Sequence, residues 1–176
     1  MSPDTGDLIH IHHLMKVIDN FLPISVFQTI HKHIMSPGTG WYFQNSVAAD
    51  TDKMSHSNYM HSHMVYENHQ PRSSMYDEVL PLVEHPELDV KALLRIMVNS
   101  YPYTNKILKH AKHTDYEFSH KGAILYLNTC DGYTWCQGEK VYSVANRVLI
   151  HDPSIPHHST NTTNEQRRII CNMNYL

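Results

Sequence analysis

From about residue 90 onward the chain breaks into short strand-like pieces, and this pattern limits its folds more than any other feature. VKALLRIMVNSYPY, YEFSH, GAILYLNT, YTWC, KVYSV, NRVLIHD, PHHST and RRIICNMNYL follow one another. Turn-forming residues separate them at Asp131-Gly132, Gln137-Gly138, Asp152-Pro153 and Asn161. Many short strands at close intervals, with no helix between them, predict an antiparallel sandwich or barrel of the jelly-roll type.

The first 90 residues read differently. Residues 8–23 alternate imperfectly and end in a proline, as a strand entering a turn does. In residues 24–36, Ile24, Phe27, Ile30 and Ile34 recur at helical spacing before Pro37-Gly38. SSMYDEVLPLVEHP predicts a short helix with Pro81 inside it, and residues 41–71 show no clear period. There is no internal repeat or linker. The expected architecture is mainly β (α+β), a double-stranded β-helix with supporting N-terminal helices. Residues 1–176 then form a single domain, 1–90 as helical and strand support and 91–176 as the jelly-roll catalytic core.

Composition bounds the function classes. With 176 residues, 41% hydrophobic and 18% charged, the chain can bury a real core and is not disordered. A formal charge of −3 gives no reason to expect a nucleic-acid partner at neutral pH. Its 16 histidines outnumber its 14 lysines and arginines; protonating them all would carry the formal charge to +13. Solubility and polyanion binding are therefore expected to follow pH. Three cysteines, Cys130, Cys136 and Cys171, form no paired disulfide pattern and no C-x-x-C knuckle. The acidic start MSPDTGDLIHIHHL lacks the features of a signal peptide, and no apolar run reaches membrane-spanning length. A soluble protein of a reducing compartment, the cytoplasm, is expected, with no membrane partner; nothing in the sequence addresses oligomeric state.

Chemistry concentrates around His113-Thr114-Asp115. In an extended segment residues i and i+2 face the same way, so imidazole and carboxylate can converge on one metal. His61-Ser62-His63 and His10-Ile11-His12 have the same spacing and are rivals. What favours the first pair is its company: His158 follows 43 residues after Asp115, and Arg168 lies 10 beyond that. Two histidines and a carboxylate on one face of an octahedral ion leave three positions open, the arrangement of non-haem Fe(II) oxygenases. An arginine on a neighbouring strand offers a planar clamp for a carboxylate co-substrate.

In order, SYPYT, HTD, ILYLN, DGYTW, NRVLIHD, PHHST and RRIICNMNYL resemble the Fe(II)/2-oxoglutarate-dependent dioxygenases. The nearest likeness is to the prolyl 4-hydroxylase-like branch, including small members carried by phages of marine cyanobacteria, in which case the compartment is the host cytoplasm. The resemblance covers roughly residues 95–176. It implies Fe(II) on His113, Asp115 and His158, and a salt bridge from Arg168 to the distal carboxylate of 2-oxoglutarate. Tyr126 would offer its phenol to the co-substrate, as would Tyr101, with Tyr103 on the same strand face as the alternative. Asn128, Asn146 and Arg147 match family positions and read as structural. His110 and His120 read as non-ligands, and His61 and His63 as solvated or near a substrate entrance. His151 stands where the family has an aromatic or aliphatic residue. His157 beside His158 and Arg167 beside Arg168 leave each assignment open by one position; spacing favours His158 and Arg168. Strand alternation adds that Arg168, Ile170, Asn172 and Asn174 share a face.

The resemblance implies hydroxylation of an unactivated C–H with Fe(II), 2-oxoglutarate, O2 and ascorbate. Asp115 occupies the coordination position that related halogenases leave for chloride. Peptidyl proline is the nearest substrate analogue, with another side chain, a free amino acid or a nucleotide as alternatives. Recognition loops are expected in residues 41–75 and around 104–112. Two other classes compete. A zinc hydrolase on the same ligands lacks a general base at fixed spacing, and a non-catalytic jelly-roll binding module need not keep triad and clamp.

Overall fold

A computed structural model describes residues 15–48 and 57–176. His10 and His12, one of the rival pairs, lie outside the described residues, as do residues 8–14 of the strand expected at 8–23 and residues 49–56 of the loop expected at 41–75.

The strand-rich half folds as its pattern predicts. β5 (Leu93–Pro102), β6 (Lys121–Tyr126), β7 (Tyr133–Cys136), β8 (Glu139–Tyr142), β9 (Arg147–His151), β10 (His158–Ser159) and β11 (Arg167–Tyr175) follow in order. YEFSH is the exception: it carries a ring cluster of Tyr116, Phe118 and His120 but no strand. Ahead of them come β1 (Lys16–Ile18), α1 (Ile24–Ile34), β2 (Tyr42–Gln44), β3 (Met60–Glu67), β4 (Gln70–Pro71) and α2 (Met75–Val83). Pro81 sits inside α2, next to its last turn. There the missing N–H breaks one intrahelical bond and the helix ends two residues later.

Two antiparallel sheets result. The larger runs β1-β9-β6-β11-β5-β3-β2, with β4 paired to β3, and the smaller runs β10-β7-β8. The first 90 residues therefore do more than support the core, because β1, β2 and β3 are strands of the larger sheet itself. The β7–β8 hairpin closes through Gln137 and Gly138, with φ of 49° and 90°. Two positive φ values in a two-residue loop match the twist of the strands, and glycine adopts the second at no steric cost.

Alternation along the larger sheet separates two jobs. One face carries Ile96, Val98, Leu125, Val148, Cys171 and Met173 and packs on Phe27, Ile30 and Ile34 of α1 and Val79 and Leu82 of α2, all buried. Ile24 begins α1 but is 65% exposed, so only three of the four periodic residues reach the core. The opposite face presents Arg168, Ile170, Asn172 and Asn174 beside Met97, Asn99 and Tyr101, as the β11–β5 register requires. That face looks toward the smaller sheet, and it holds the polar residues.

Candidate active site

The segment before β6 is not a strand; it is stitched to the loop entering β10. His113 N–H donates to His157 O and His157 N–H to His113 O, each at 3.0 Å, while Asp115 N–H donates to Pro153 O at 3.0 Å. This reciprocal bridge sets the two imidazoles side by side, their centroids 4.5 Å apart. Asp115 Oδ1 lies 3.6 Å from His113 Nε2 and 3.8 Å from His157 Nε2. The three candidate ligand atoms all lie within 4.8 Å of one another.

The imidazoles are oriented for metal binding. His113 Nδ1 donates to Ala111 O at 3.2 Å and His157 Nδ1 to Ile155 O at 3.0 Å. Each carbonyl fixes the tautomer that turns the Nε2 lone pair toward the carboxylate. Burial, followed by the neighbouring His113, lowers the pKa of His157 and keeps it neutral, the form that ligates. Burial pushes the Asp115 carboxyl up, but contact with His113, the charge of Arg95 and the hydrogen bond from Asn174 outweigh it. The group is held ionised, well below the usual carboxylate range. Neighbouring ligands about 2.1 Å from an octahedral ion sit about 3 Å apart, so the carboxylate-to-imidazole separations of 3.6 and 3.8 Å need to close by less than about 1 Å to hold a divalent cation.

The other oxygen of Asp115 is held from behind. Oδ2 accepts from Asn174 Nδ2 at 2.7 Å and Asn172 Nδ2 at 3.3 Å, and lies 3.4 Å from Arg95 Nη2. Asn174 is fully engaged: it also donates to His120 Nε2 at 3.2 Å and accepts from Arg95 at 3.1 Å. His120 in turn donates through Nδ1 to Phe118 O at 2.8 Å. A carboxylate whose Oδ2 is bound this way presents Oδ1 alone to a metal. Sequence reasoning missed Arg95 and gave no role to Asn172, Asn174 or His120. The signal was present, since Asn172 and Asn174 alternate in phase with Arg168.

Arg168 is fully buried. Its Nε donates to Ser143 Oγ at 2.7 Å, Nη1 to Thr160 O at 3.0 Å and Nη2 to Thr134 Oγ1 at 2.9 Å. The rings of Tyr101 and Tyr126 flank the guanidinium, each 5.5 Å away. Among the described residues no carboxylate pairs with it, so this buried cation is stabilised only by neutral groups and π faces. Gly132 of the DGYTW stretch makes room: a Cβ there would lie 2.3 Å from Asn161 O and 2.5 Å from Arg168 Cδ.

A cavity of about 240 Å³ connects these features; His113, Asp115, His157, Asn172, Tyr101 and Thr134 are on its wall. Arg168 and Tyr126 stand behind Thr134, which joins the guanidinium to the cavity surface.

His158 lies elsewhere than the sequence expectation put it: it pairs with Trp135 across β10–β7 and stacks on that indole at 5.5 Å and 12°, while the grouped donor atoms are those of His113, Asp115 and His157. His157 takes the expected place, because adjacent residues in an extended segment face opposite ways and the bridge to His113 turns position 157 inward. The idea that H-x-D lies on a strand also gives way to the bridged loop. Tyr101 and Tyr103 separate clearly: Tyr101 lines the cavity, whereas Tyr103 is 54% exposed. Tyr126 is fully buried, its hydroxyl 3.4 Å from Val141 O, and burial raises its pKa to about 12.

The remaining histidines sort by their partners. His110 is buried against Tyr101 and bonded to Ser159 Oγ at 2.7 Å, outside the ligand set. His63 donates to Gly40 O and accepts from Ser73 Oγ, a structural bridge, while His61 joins a ring cluster with Phe43 and Tyr59. His151 is buried behind His157, their centroids 5.1 Å apart, with Cys136 Sγ at 3.7 Å. Burial lowers His110 and His151 to about 3 and also depresses His158, so mild acid does not charge every histidine and +13 is not reached. Asn146 clamps Leu22 through both its amide atoms, and Asn128 bonds the backbone of Arg167 and Ile169.

No family model matches the chain, and no curated protein matches it in sequence. Solved structures do. A prolyl-4-hydroxylase from Pseudomonas putida is similar at 13% identity over 92% of this chain and 91% of its own, with a TM-score of 0.57. A 2OG-Fe(II) oxygenase family oxidoreductase from Burkholderia pseudomallei has 9% identity, coverage of 92% and 84%, and a TM-score of 0.62. A prolyl hydroxylase from Trichoplax adhaerens, solved with a hypoxia inducible factor peptide fragment, has 15% identity, coverage of 92% and 83%, and a TM-score of 0.57. At these identities the likeness is one of fold: the chain has the jelly-roll fold that these 2OG-Fe(II) oxygenase and prolyl hydroxylase structures share.

Proposed function

We propose that the chain is an Fe(II)- and 2-oxoglutarate-dependent dioxygenase that hydroxylates an unactivated C–H bond, its whole length serving as one oxygenase domain. One observation carries this reading: a single cavity has two histidines and a carboxylate on its wall and, behind Thr134, a buried guanidinium with no carboxylate partner among the described residues. A metal-binding set alone fits many chemistries. The buried cation beside it calls for an anionic co-substrate, which a zinc hydrolase does not need.

Bound Fe(II) with 2-oxoglutarate supplies the oxidation: R–H, 2-oxoglutarate and O2 become R–OH, succinate and CO2. The chain's own residues do the rest. His113 and His157 through Nε2 and Asp115 through Oδ1 would hold the ion. Arg168 pairs with the distal carboxylate of the co-substrate and Thr134 supplies a hydroxyl beside it, while the phenols of Tyr126 and Tyr101 flank the guanidinium. The surrounding apolar wall, Met60, Met97, Ile124 and Ile170, excludes water from the reacting centre. The substrate is a peptide side chain or a small molecule; the Trichoplax structure, solved with a peptide, supports the first.

The test is an anaerobic titration of the chain with Fe(II) and then 2-oxoglutarate, followed by admission of O2. A visible absorption of the Fe(II)–2-oxoglutarate chelate, then succinate formation that requires both components, is expected. Turnover indifferent to 2-oxoglutarate would falsify the assignment.

A further inference from the structure

The wall of the cavity holds polar atoms that the proposed chemistry leaves unpaired. Asn99 and Asn172 are 5% and 9% exposed, and the Oδ1 of each is buried with no hydrogen-bond partner among the described residues. Arg95 Nε is buried and unpartnered on the same wall. The amide orientations follow from the neighbours. Asn172 must turn Nδ2 to Asp115 Oδ2, since a carboxylate only accepts, and Asn99 Nδ2 donates to Tyr101 Oη at 3.4 Å. Both carbonyl oxygens are thereby left without a donor, on residues that line the cavity.

Fe(II), 2-oxoglutarate and O2 carry no N–H, so none of them can donate to these oxygens. A substrate that packs against these residues must bring its own donors, or two buried acceptors stay unsatisfied. Arg95 Nε, a donor, asks the same substrate for an acceptor. Resting on the dioxygenase reading, we infer that the group entering this cavity carries N–H donors beside a carbonyl or carboxylate oxygen: a carboxamide or the head of an α-amino acid. Asn172 and Asn99 receive its N–H groups and Arg95 Nε donates to its oxygen. The ring of a peptidyl proline, whose nitrogen bears no hydrogen, does not meet this demand. Two sources share the chemistry, a free amino acid and the asparagine or glutamine side chain of a peptide.

The experiment uses the full chain loaded anaerobically with Fe(II) and 2-oxoglutarate, whose chelate absorption is read first. Failure of that absorption overturns the dioxygenase reading itself. With the chelate formed, two probe sets are supplied with O2: each common amino acid in free form, and each as the central residue of a capped Gly-Xaa-Gly tripeptide. Succinate formation and gain of one oxygen atom by mass are measured. The expected result is about tenfold or greater stimulation by a free amino acid, or by the capped asparagine or glutamine tripeptide, with capped Gly-Pro-Gly inactive. Oxygenation of the capped proline or of a capped aliphatic residue overturns the inference, as does a lack of stimulation by every probe. Asn99→Leu tests the seating at a residue that does not hold Asp115. The chelate absorption should persist at unchanged 2-oxoglutarate affinity while the KM of the active probe rises about tenfold. An unchanged KM would mean that Asn99 does not meet the substrate, and the inference falls.

Discussion

The adjacent histidines 157 and 158 give the sharpest test of the metal site, because they differ in direction and in little else. His157 Nε2 lies 3.8 Å from Asp115 Oδ1, and its Nδ1 is tied to Ile155 O. His158 lies flat on Trp135 at 5.5 Å. Replacing His157 by Ala removes one of the three proposed ligands. Loss of a mere supporting partner of a ligand costs about 10–100-fold in metal affinity, so loss of the ligand should exceed about 100-fold, or about 2.8 kcal/mol. Replacing His158 by Ala removes a ring stack worth about 0.5–1.5 kcal/mol of folding stability and no metal donor. Isothermal titration with Mn(II), or with Fe(II) under anaerobic conditions, reads the first effect, and urea unfolding of the apo protein the second. The expected result is His157→Ala without measurable binding and His158→Ala within about threefold of wild type, with its midpoint lowered. The reasoning is refuted if His158→Ala abolishes binding while His157→Ala retains it, for the bridge between His113 and His157 would then not define the site.

Four further outcomes follow from the same geometry. Gly132→Ala forces a Cβ to within 2.3 Å of Asn161 O and 2.5 Å of Arg168 Cδ. It should cost about 1–3 kcal/mol in urea unfolding and raise the 2-oxoglutarate KM at least tenfold by displacing the guanidinium. Arg168→Lys keeps the charge but not the three directed donors to Ser143, Thr160 and Thr134, so 2-oxoglutarate affinity should fall about tenfold or more with Fe(II) affinity preserved, as read by paired titrations. Asn174→Leu should weaken Mn(II) binding about 10–100-fold by releasing Asp115 Oδ2, a loss that titration calorimetry measures. His110, lowered to about 3 by burial and by Arg168, binds a proton more readily unfolded than folded. Its contribution is complete above the unfolded value near 6.5 and is lost as pH falls toward 3, at up to about 1.4 kcal/mol per pH unit. His110→Asn should flatten that part of a stability–pH curve from urea unfolding; an unchanged slope would contradict the burial argument.

The β-rich half was legible because period-2 patterning and turn residues act locally: Gln137-Gly138 makes its hairpin, and RRIICNMNYL forms a strand wherever it pairs. β3 was not legible for a physical reason. MHSHMVYE turns Met60, Ser62 and Met64 toward the functional face and His63 and Val65 toward the helices, so neither face is cleanly apolar and the alternation disappears. Arg168 was reached by its spacing from His158 and by resemblance, and alternation along β11 applied four and six residues on leads to Asn172 and Asn174, whose amides hold the carboxylate of Asp115. Alternation failed at His157 and His158 because it gives relative, not absolute, direction. Which of two neighbours faces inward is decided by a partner outside the strand, here the His113 backbone 44 residues earlier. The functional face of a jelly-roll sheet is polar by necessity, so hydrophobic pattern, the strongest sequence signal for fold, is weakest where the chemistry sits. In such a sheet the useful sequence signal is a run of polar residues spaced by two within an otherwise apolar strand. Arg168, Asn172 and Asn174 are such a run, broken only by Ile170: Arg168 reaches Thr134 at one end, and the two asparagines converge on Asp115 Oδ2 at the other.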